Sequence, residues 1–252
     1  MFQQNPVSLI PVLVLAVAPS LIWLFFYLKE DDHPEPRYWI FIAFLMGVAL
    51  APLVIFLEMA IGRVFNFFAA ITFQDSLMLF ALAPFIEETA KYGVIHLALN
   101  KNPVLDEPVD GMIYVIATAL GFAAIENVFA IFSFISVGNP GYLGATFNFM
   151  SARFISAVAL HGLASGISGY YFAKFYFIKR DFRLIFLGLF GATAFHGIYN
   201  YLISRDGGYA SMILTGVVLG AAAALVIVLF NRLKRFKTYQ QGLIDNAGKS
   251  EI

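Results

Sequence analysis

The chain contains no cysteine and few charged residues. Without cysteine it can form no disulfide, and it has no cysteine nucleophile or thiolate metal ligand. Only 13% of its 252 residues are charged and 60% are hydrophobic, whereas a soluble domain averages about 25% charged residues. The 16 basic and 16 acidic residues balance, which argues against a nucleic-acid partner. This composition predicts an integral membrane protein.

Long apolar runs account for most of the chain. A helix needs about 20 apolar residues to cross a bilayer, and the runs of that length lie at 7–28, 38–60, 76–99, 111–136, 151–173, 184–204 and 209–231. They predict an all-α, polytopic transmembrane bundle of about seven spans, forming one domain over residues 1–252. Two other pieces, Val64–Phe73 and Val137–Met150, are expected to lie along the membrane surface, the first as an interfacial or re-entrant segment.

Basic residues are distributed unevenly between the two sets of loops. Eleven lie in one set together with the C-terminal tail, and three lie in the other. Because cytoplasmic loops carry the excess of lysine and arginine, we expect the N-terminus outside and the C-terminus in the cytoplasm. The basic tail, residues 232–252, is expected to rest on anionic lipid.

Ionisable side chains lie within four successive apolar runs. Glu87 and Glu88 lie in the third run, Glu126 in the fourth, His161 in the fifth and His196 in the sixth. Such residues are costly within a bilayer and are usually functional. Counted from the predicted outer end of each run, all except Glu88 lie at a depth of roughly 12–17 Å. This common level predicts one site in the outer half of the bilayer.

Lys91 follows the two glutamates at helical spacing, four residues after Glu87 and three after Glu88. We expect Glu88 to be its closer partner, which would leave Glu87 free to act as a general base. The alternative is an ion pair that only orders the bundle. Arg153 lies near the end of its run and is expected to extend to the interface.

His196 and Asn200 are one helical turn apart and face the same way. Both can donate hydrogen bonds, which suits the stabilisation of an oxyanion in a dry site; a polar contact between helices is the alternative. His161 is followed by small residues that predict close helix packing, namely Gly162, Ala164, Ser165, Gly166, Ser168 and Gly169.

At these positions the chain resembles the PrsW family of intramembrane proteases, glutamic-type relatives of the CAAX prenyl endopeptidases. The matching segments are 85–91 for the E-E-x-x-K motif, 107–111 leading into Tyr114, 121–127 for F-x-x-x-E-N, His161 with Gly166, and 196–200 for H-x-x-x-N. These motifs fall within residues 76–204. The prenyl endopeptidases have a histidine where this chain has Glu126.

The resemblance implies hydrolysis of a peptide bond by a glutamate-activated water. Glu87 and Glu126 would activate the water, while His196 and Asn200 would hold the carbonyl oxygen of the tetrahedral intermediate. The rest of the implied site consists of Glu88, His161 and the supporting residues Lys91, Asn127 and Phe122. His161 would assist either the water or the leaving amine.

The resemblance also implies a partner and a location. The substrate would be a single-pass membrane protein, such as an anti-sigma factor, cut near the extracytoplasmic face. The protein would lie in the plasma (inner) membrane of a prokaryote, in contact with membrane lipid.

Other mechanisms use overlapping residues. Glu87, Glu126, His161 and His196 could bind zinc, although no H-E-x-x-H motif is present. The chain is therefore expected to need no cofactor, with a zinc metalloprotease as the alternative. A serine mechanism at Ser168 would place the hydroxyl about 10 Å deeper than His161, and an aspartyl mechanism lacks aspartates within the spans. A proton-coupled transporter could use the same groups, but the chain shows no internal repeat.

Overall fold

The structure, a computed structural model, describes residues 9–68, 78–100, 102–136, 142–204 and 208–249. Its helices are α1 (Leu9–Leu28), α2 (Arg37–Phe68), α3 (Ala83–Leu99), α4 (Pro108–Ser136), α5 (Tyr142–Arg153), α6 (Ala159–Ala173), α7 (Phe182–Ser204) and α8 (Tyr209–Lys249). Short π-helical segments precede α3 (Met78–Leu82), join α5 to α6 (Phe154–Val158) and follow α6 (Lys174–Ile178). No strand occurs in these ranges, and the predicted all-α helix bundle is confirmed.

Five helical stretches in the described part of the chain are long and apolar enough to cross a membrane. They are Arg37–Val64, Pro108–Phe134, Gly144–Ile178, Phe182–Ser204 and Tyr209–Phe236, and Leu13–Leu28 is a shorter apolar helix. The remaining predicted span is α3, which is 17 residues long and carries the two glutamates and Lys91. The arrangement is that of a multi-pass membrane protein.

Two predicted boundaries are wrong. Helix α2 continues to Phe68, so the first part of the Val64–Phe73 piece belongs to it, and residues 69–73 lie outside the described residues. Residues 142–150 of the Val137–Met150 piece are also helical, while 137–141 lie outside the described residues. The chain has no proline after Pro140, and a continuous helix is the simplest way to satisfy backbone groups within a bilayer.

Helix α4 lies at the centre of the bundle and packs against α1, α2 and α6. Its residues from Met112 to Ala117 are completely buried, as expected for a helix that is apolar on all sides. Gly121 allows close contact with α2, because a β-carbon there would overlap the carbonyl oxygen of Phe44. One turn earlier, Thr118 Oγ1 donates a hydrogen bond to the Ala43 carbonyl at 3.0 Å. These contacts fix the part of α4 that leads to Glu126.

The small residues after His161 hold α6 against its neighbours. A β-carbon on Gly169 would lie 2.9 Å from the Cα of Met112 in α4, and one on Gly162 would lie 2.9 Å from the Tyr27 ring in α1. The predicted close packing is therefore confirmed. Because α6 approaches α4 so closely, the His161 side chain reaches Glu126.

The loop after α1, the loop before α4 and helix α8 meet at one end of the bundle. Lys234 in α8 lies 3.3 Å from Glu30 and 3.7 Å from Asp32, both in the loop after α1. His33 in the same loop lies 3.5 Å from Glu107, which precedes α4. This is the end predicted to be cytoplasmic, and the orientation itself stays a prediction.

Candidate active site

Lys91 lies at the centre of the polar cluster and is completely buried. Its Nζ lies 2.9 Å from Glu87 Oε2, 2.9 Å from Glu88 Oε1 and 2.9 Å from His161 Nδ1. The same ammonium lies over the Phe122 ring, 4.4 Å from its centroid. The prediction that Lys91 pairs with Glu88 and leaves Glu87 free is wrong, because one ammonium carries three donors and reaches both carboxylates.

His161 joins this cluster to Glu126. Its Nε2 lies 2.6 Å from Glu126 Oε2, while its Nδ1 faces Lys91. A lysine ammonium can only donate, so Nδ1 must accept and Nε2–H must donate to the glutamate. We therefore infer the neutral tautomer of His161 with its proton on Nε2.

Glu88 is enclosed by hydrogen-bond donors and has no exposed surface. Besides Lys91, it accepts hydrogen bonds from Ser165 Oγ at 3.0 Å and from His196 Nδ1 at 3.1 Å. Ser165 follows His161 by one turn of α6, and the sequence interpretation had noted it only as a small residue. With this set of partners Glu88 is fixed in place, which suits a positioning role.

Glu87 and Glu126 are more accessible than Glu88. The side chain of Glu126 is 23% exposed and that of Glu87 is 7% exposed. Glu87 Oε2 lies 3.8 Å from His161 Nδ1 and 4.0 Å from His196 Nδ1. The two carboxylates therefore flank His161 on its two ring nitrogens, and Glu126 is the more exposed of the two.

The structure brings together the predicted residues from α3, α4, α6 and α7, although the depth count behind that expectation used the wrong helix ends. The helix containing His161 begins near Gly144 rather than at Ser151, so His161 lies deeper along its helix than predicted. A π-helical segment, Phe154–Val158, lies just before α6, and His161 still contacts Glu126 directly.

The supporting residues occupy different positions. Phe122 lies beneath Lys91, with its ring centroid 5.8 Å from that of His161. Asn127 lies outside the cluster, where its Nδ2 donates to the Ala16 carbonyl at 3.2 Å and its Oδ1 accepts from Arg153 Nε at 2.6 Å. The expectation that Arg153 extends to the interface is wrong, because Asn127 offers it a partner inside the bundle. Asn200 is partly buried one turn beyond His196.

Glu58 in α2 was missed by the sequence interpretation. It lies close enough to Glu87, Glu126 and Lys91 for their charges to act on it, and its Oε1 is buried without a hydrogen-bond partner among the described residues. Val54, one turn earlier, packs against Phe122. The rule that a carboxylate in an apolar run is usually functional would have found Glu58, but the predicted run ended at residue 60 and placed it at the membrane edge.

Four buried residues could offer one metal ligand each: Glu87, Glu88, His161 and His196, with their ligand atoms all within 4.8 Å of one another. Zinc accepts carboxylate and imidazole ligands, and a carboxylate on the far nitrogen often orients a metal-binding histidine. Glu126 has that orienting position, so this group of four contains Glu88 where the predicted ligand set has Glu126. The donor types fit zinc, but the Lys91 ammonium already lies among them, and the site in this arrangement does not fit a second cation.

The serine alternative gains no support from the described residues. Ser168 is 1% exposed, and its hydroxyl donates to the Ser165 carbonyl at 3.2 Å. A nucleophilic serine needs a basic side chain within hydrogen-bond distance of its hydroxyl, whereas the hydrogen-bond partner of the Ser168 hydroxyl is a backbone carbonyl.

The sequence was compared with known protein families and proteins. The chain matches the family model of the PrsW family, described as intramembrane metalloproteases, over residues 35–230. The match is wider than the motif-bearing residues 76–204 and includes all of α2 and part of α8. No solved structure matches the chain.

Bacterial proteins named Protease PrsW are similar to this chain over most of its length. The one from Oceanobacillus iheyensis is 28% identical over 233 residues, which cover 90% of this chain and 96% of that protein. Those from Geobacillus kaustophilus and Bacillus subtilis are 29% and 24% identical, covering 74% and 77% of this chain and 77% and 83% of those proteins.

Proposed function

The chain belongs to the PrsW family of intramembrane proteases, and we propose that it cuts a membrane-anchored protein with a water activated by Glu87 and Glu126. The observation that carries this proposal is the different environment of the three carboxylates. Glu88 is closed off by Lys91, Ser165 and His196, whereas the Glu126 side chain is 23% exposed and that of Glu87, although buried, keeps 7% exposure. A nucleophilic water needs an accessible carboxylate that is already held in place, and Glu126 meets both conditions.

In the proposed reaction, Glu87 takes a proton from the water while the water oxygen bonds to the scissile carbonyl carbon. Glu126, held by His161 Nε2–H, accepts a hydrogen bond from the other O–H of the same water and so orients it. When the C–N bond breaks, the proton on Glu87 passes to the leaving amine. The products are a carboxylic acid and an amine, and the two glutamates return to their starting state.

The developing oxyanion would be stabilised by His196 and Asn200. The amide of Asn200 donates without any change of charge. His196 already donates Nδ1–H to Glu88, so it must carry a second proton on Nε2 to donate to the oxyanion as well.

A zinc-dependent reaction is the second candidate, favoured by the four-ligand set and by the carboxylate behind His161. It requires Lys91 to leave its present position. Purified protein should be analysed for bound metal and tested for cleavage with and without a chelator. We expect cleavage to persist without metal, and loss of activity that zinc alone restores would favour the metalloprotease.

For the substrate, we propose a single-pass membrane protein cut near the extracytoplasmic face of the plasma membrane. The test is co-expression with tagged single-pass proteins encoded nearby, comparing wild type with Glu87→Gln. Glu30→Gln is a matched control, because Glu30 contacts Lys234 at the other end of the bundle. We expect a cleavage product with wild type and Glu30→Gln only; cleavage that continues with Glu87→Gln would overturn the proposal.

A further inference from the structure

A narrow apolar groove runs between α1 and α2 at the surface of the bundle. Both helices pack against α4, and the space left between them has a volume of about 680 Å³. Residues at helical spacing line it, on α1 Val17, Leu21, Leu24 and Leu28, and on α2 Ile40, Phe41 and Phe44. Leu21 and Phe41 are exposed, so the groove is open on the side that would face lipid.

The dimensions of the groove fit a hydrocarbon chain better than a helix. From Val17 to Leu28 it follows α1 for about 17 Å. One leaflet of a bilayer core is about 15 Å deep, so the groove spans a single leaflet. Its volume over this length gives a cross-section of about 40 Å², roughly half that of a helix with a diameter of about 10 Å. The groove is therefore too narrow for a transmembrane helix.

Two basic residues lie at one end of the groove, one on each wall. Lys29 and Arg37 line it where it reaches the loop between α1 and α2, and both are exposed. Lys29 Nζ lies 4.5 Å from the ring centroid of Phe25, which is also part of the lining. Neither basic residue forms an ion pair with a residue that the structure describes, and acidic residues of the adjacent loop contact Lys234 instead. Two such cations can hold one phosphate group between them.

Two carboxylates at the same end are engaged inside the protein. Asp31 and Glu35 also line the groove, but they are only 7% and 9% exposed. Asp31 accepts hydrogen bonds from the backbone N–H of His33 at 2.9 Å and of Glu35 at 3.1 Å, and Glu35 Oε2 accepts one from the Tyr114 hydroxyl. The charge exposed at this end of the groove is therefore positive.

We propose that this groove binds one anionic phospholipid, with an acyl chain between α1 and α2 and its phosphate between Lys29 and Arg37. Basic pockets between transmembrane helices on the cytoplasmic side bind anionic headgroups, and this is the end predicted to be cytoplasmic. The lipid bridges two helices that both pack against α4, the helix that carries Glu126. The site is separate from the candidate active site, and the proposal does not depend on the proteolytic mechanism.

The test is native mass spectrometry of the full-length protein in detergent, with added phosphatidylglycerol or phosphatidylcholine of identical acyl chains. We expect one phosphatidylglycerol per chain, and weaker binding of phosphatidylcholine, which has no net charge. The double variant Lys29→Gln/Arg37→Gln should bind phosphatidylglycerol about 30-fold more weakly, because each basic side chain near an anionic headgroup contributes about a factor of five.

The matched control is Lys174→Gln/Arg183→Gln, which removes the same charges at the same predicted end of the bundle. Lys174 also lies over an aromatic ring, with its Nζ 5.6 Å from the Tyr170 centroid, but neither control residue lines the groove. We expect this variant to bind phosphatidylglycerol as the wild type does.

A further variant tests whether a chain occupies the groove. Leu21→Trp places a larger side chain there at an exposed position and leaves both basic residues unchanged. It should weaken binding of phosphatidylglycerol about tenfold, the loss expected when about two methylene groups leave the groove.

Four results would overturn the proposal. These are equal binding of the two lipids, equal binding by wild type and Lys29→Gln/Arg37→Gln, and unchanged binding by Leu21→Trp. The fourth is a dimer in place of the lipid-bound monomer, which would assign the groove to a second copy of the chain.

Discussion

Replacing Lys91 with methionine tests the charge arrangement at the centre of the site. Lys91→Met keeps much of the volume but removes the donor that serves Glu87, Glu88 and His161 at 2.9 Å each. Removing one partner from a buried ion pair costs about 3–5 kcal/mol, because the other charge is left without compensation. The variant also loses the contact between the Lys91 ammonium and the Phe122 ring, and this contact is included in the same loss of about 3–5 kcal/mol. We expect the free energy of unfolding to fall by about 3–5 kcal/mol.

The measurement is equilibrium unfolding in mixed detergent micelles, followed by the fluorescence of the two tryptophans, Trp23 and Trp39. The Trp23 indole donates to the Phe154 carbonyl at 2.9 Å. Lys29→Met is the matched control. Lys29 lies at the exposed end of α1 with its Nζ 4.5 Å from the Phe25 ring centroid, and its loss should cost about 1 kcal/mol or less.

A double variant separates the charge from the packing. Glu88→Gln combined with Lys91→Met removes one carboxylate together with the ammonium, so it should be more stable than Lys91→Met alone, with a coupling energy of about 0.5–3 kcal/mol. If Lys91→Met matched the Lys29→Met control, Lys91 would not compensate the buried carboxylates and the reasoning would be refuted.

Three further substitutions test separate parts of the structure. His196→Ala should lower the cleavage rate about 10²–10³-fold if His196 donates to the oxyanion; a smaller than tenfold effect in a rate assay with saturating substrate would rule that role out. Ser165→Ala should cost about 1.5–3 kcal/mol in the same unfolding assay, since it removes a hydrogen bond to the charged Glu88, and no change would mean that water replaces the hydroxyl. Gly121→Ala should destabilise the protein by about 1–3 kcal/mol, because its β-carbon overlaps the Phe44 carbonyl, and a neutral result would show that α2 can move away from α4.

The class of fold and most of the polar cluster could be predicted because both depend on simple rules. Apolar runs of span length give a helix bundle, and ionisable residues within such runs mark a site. The spacing of Lys91 from the two glutamates correctly brought it within reach of both. Spacing could not show which of these residues Lys91 contacts. The ammonium group has three hydrogens and lies within hydrogen-bond distance of Glu87, Glu88 and His161 at the same time.

Errors arose where the argument depended on helix ends. Apolar composition does not show where a helix stops, so α2 was cut short and Glu58 was placed at the membrane edge. For the same reason, the helix containing His161 was predicted to begin at residue 151, whereas it begins near Gly144. Ser165 and Arg153 were misjudged because their partners, Glu88 and Asn127, come from other helices and cannot be found from local spacing.

The most direct test of the central claim is a comparison of cleavage rates for Glu87→Gln, Glu126→Gln and the double variant. Two carboxylates that hold one water act as a unit, and groups that act as a unit are strongly non-additive. We expect each single variant to lose nearly all activity and the double variant to be no slower than the slower single one. Independent, multiplying losses, or a single variant with the wild-type rate, would contradict a shared water between Glu87 and Glu126.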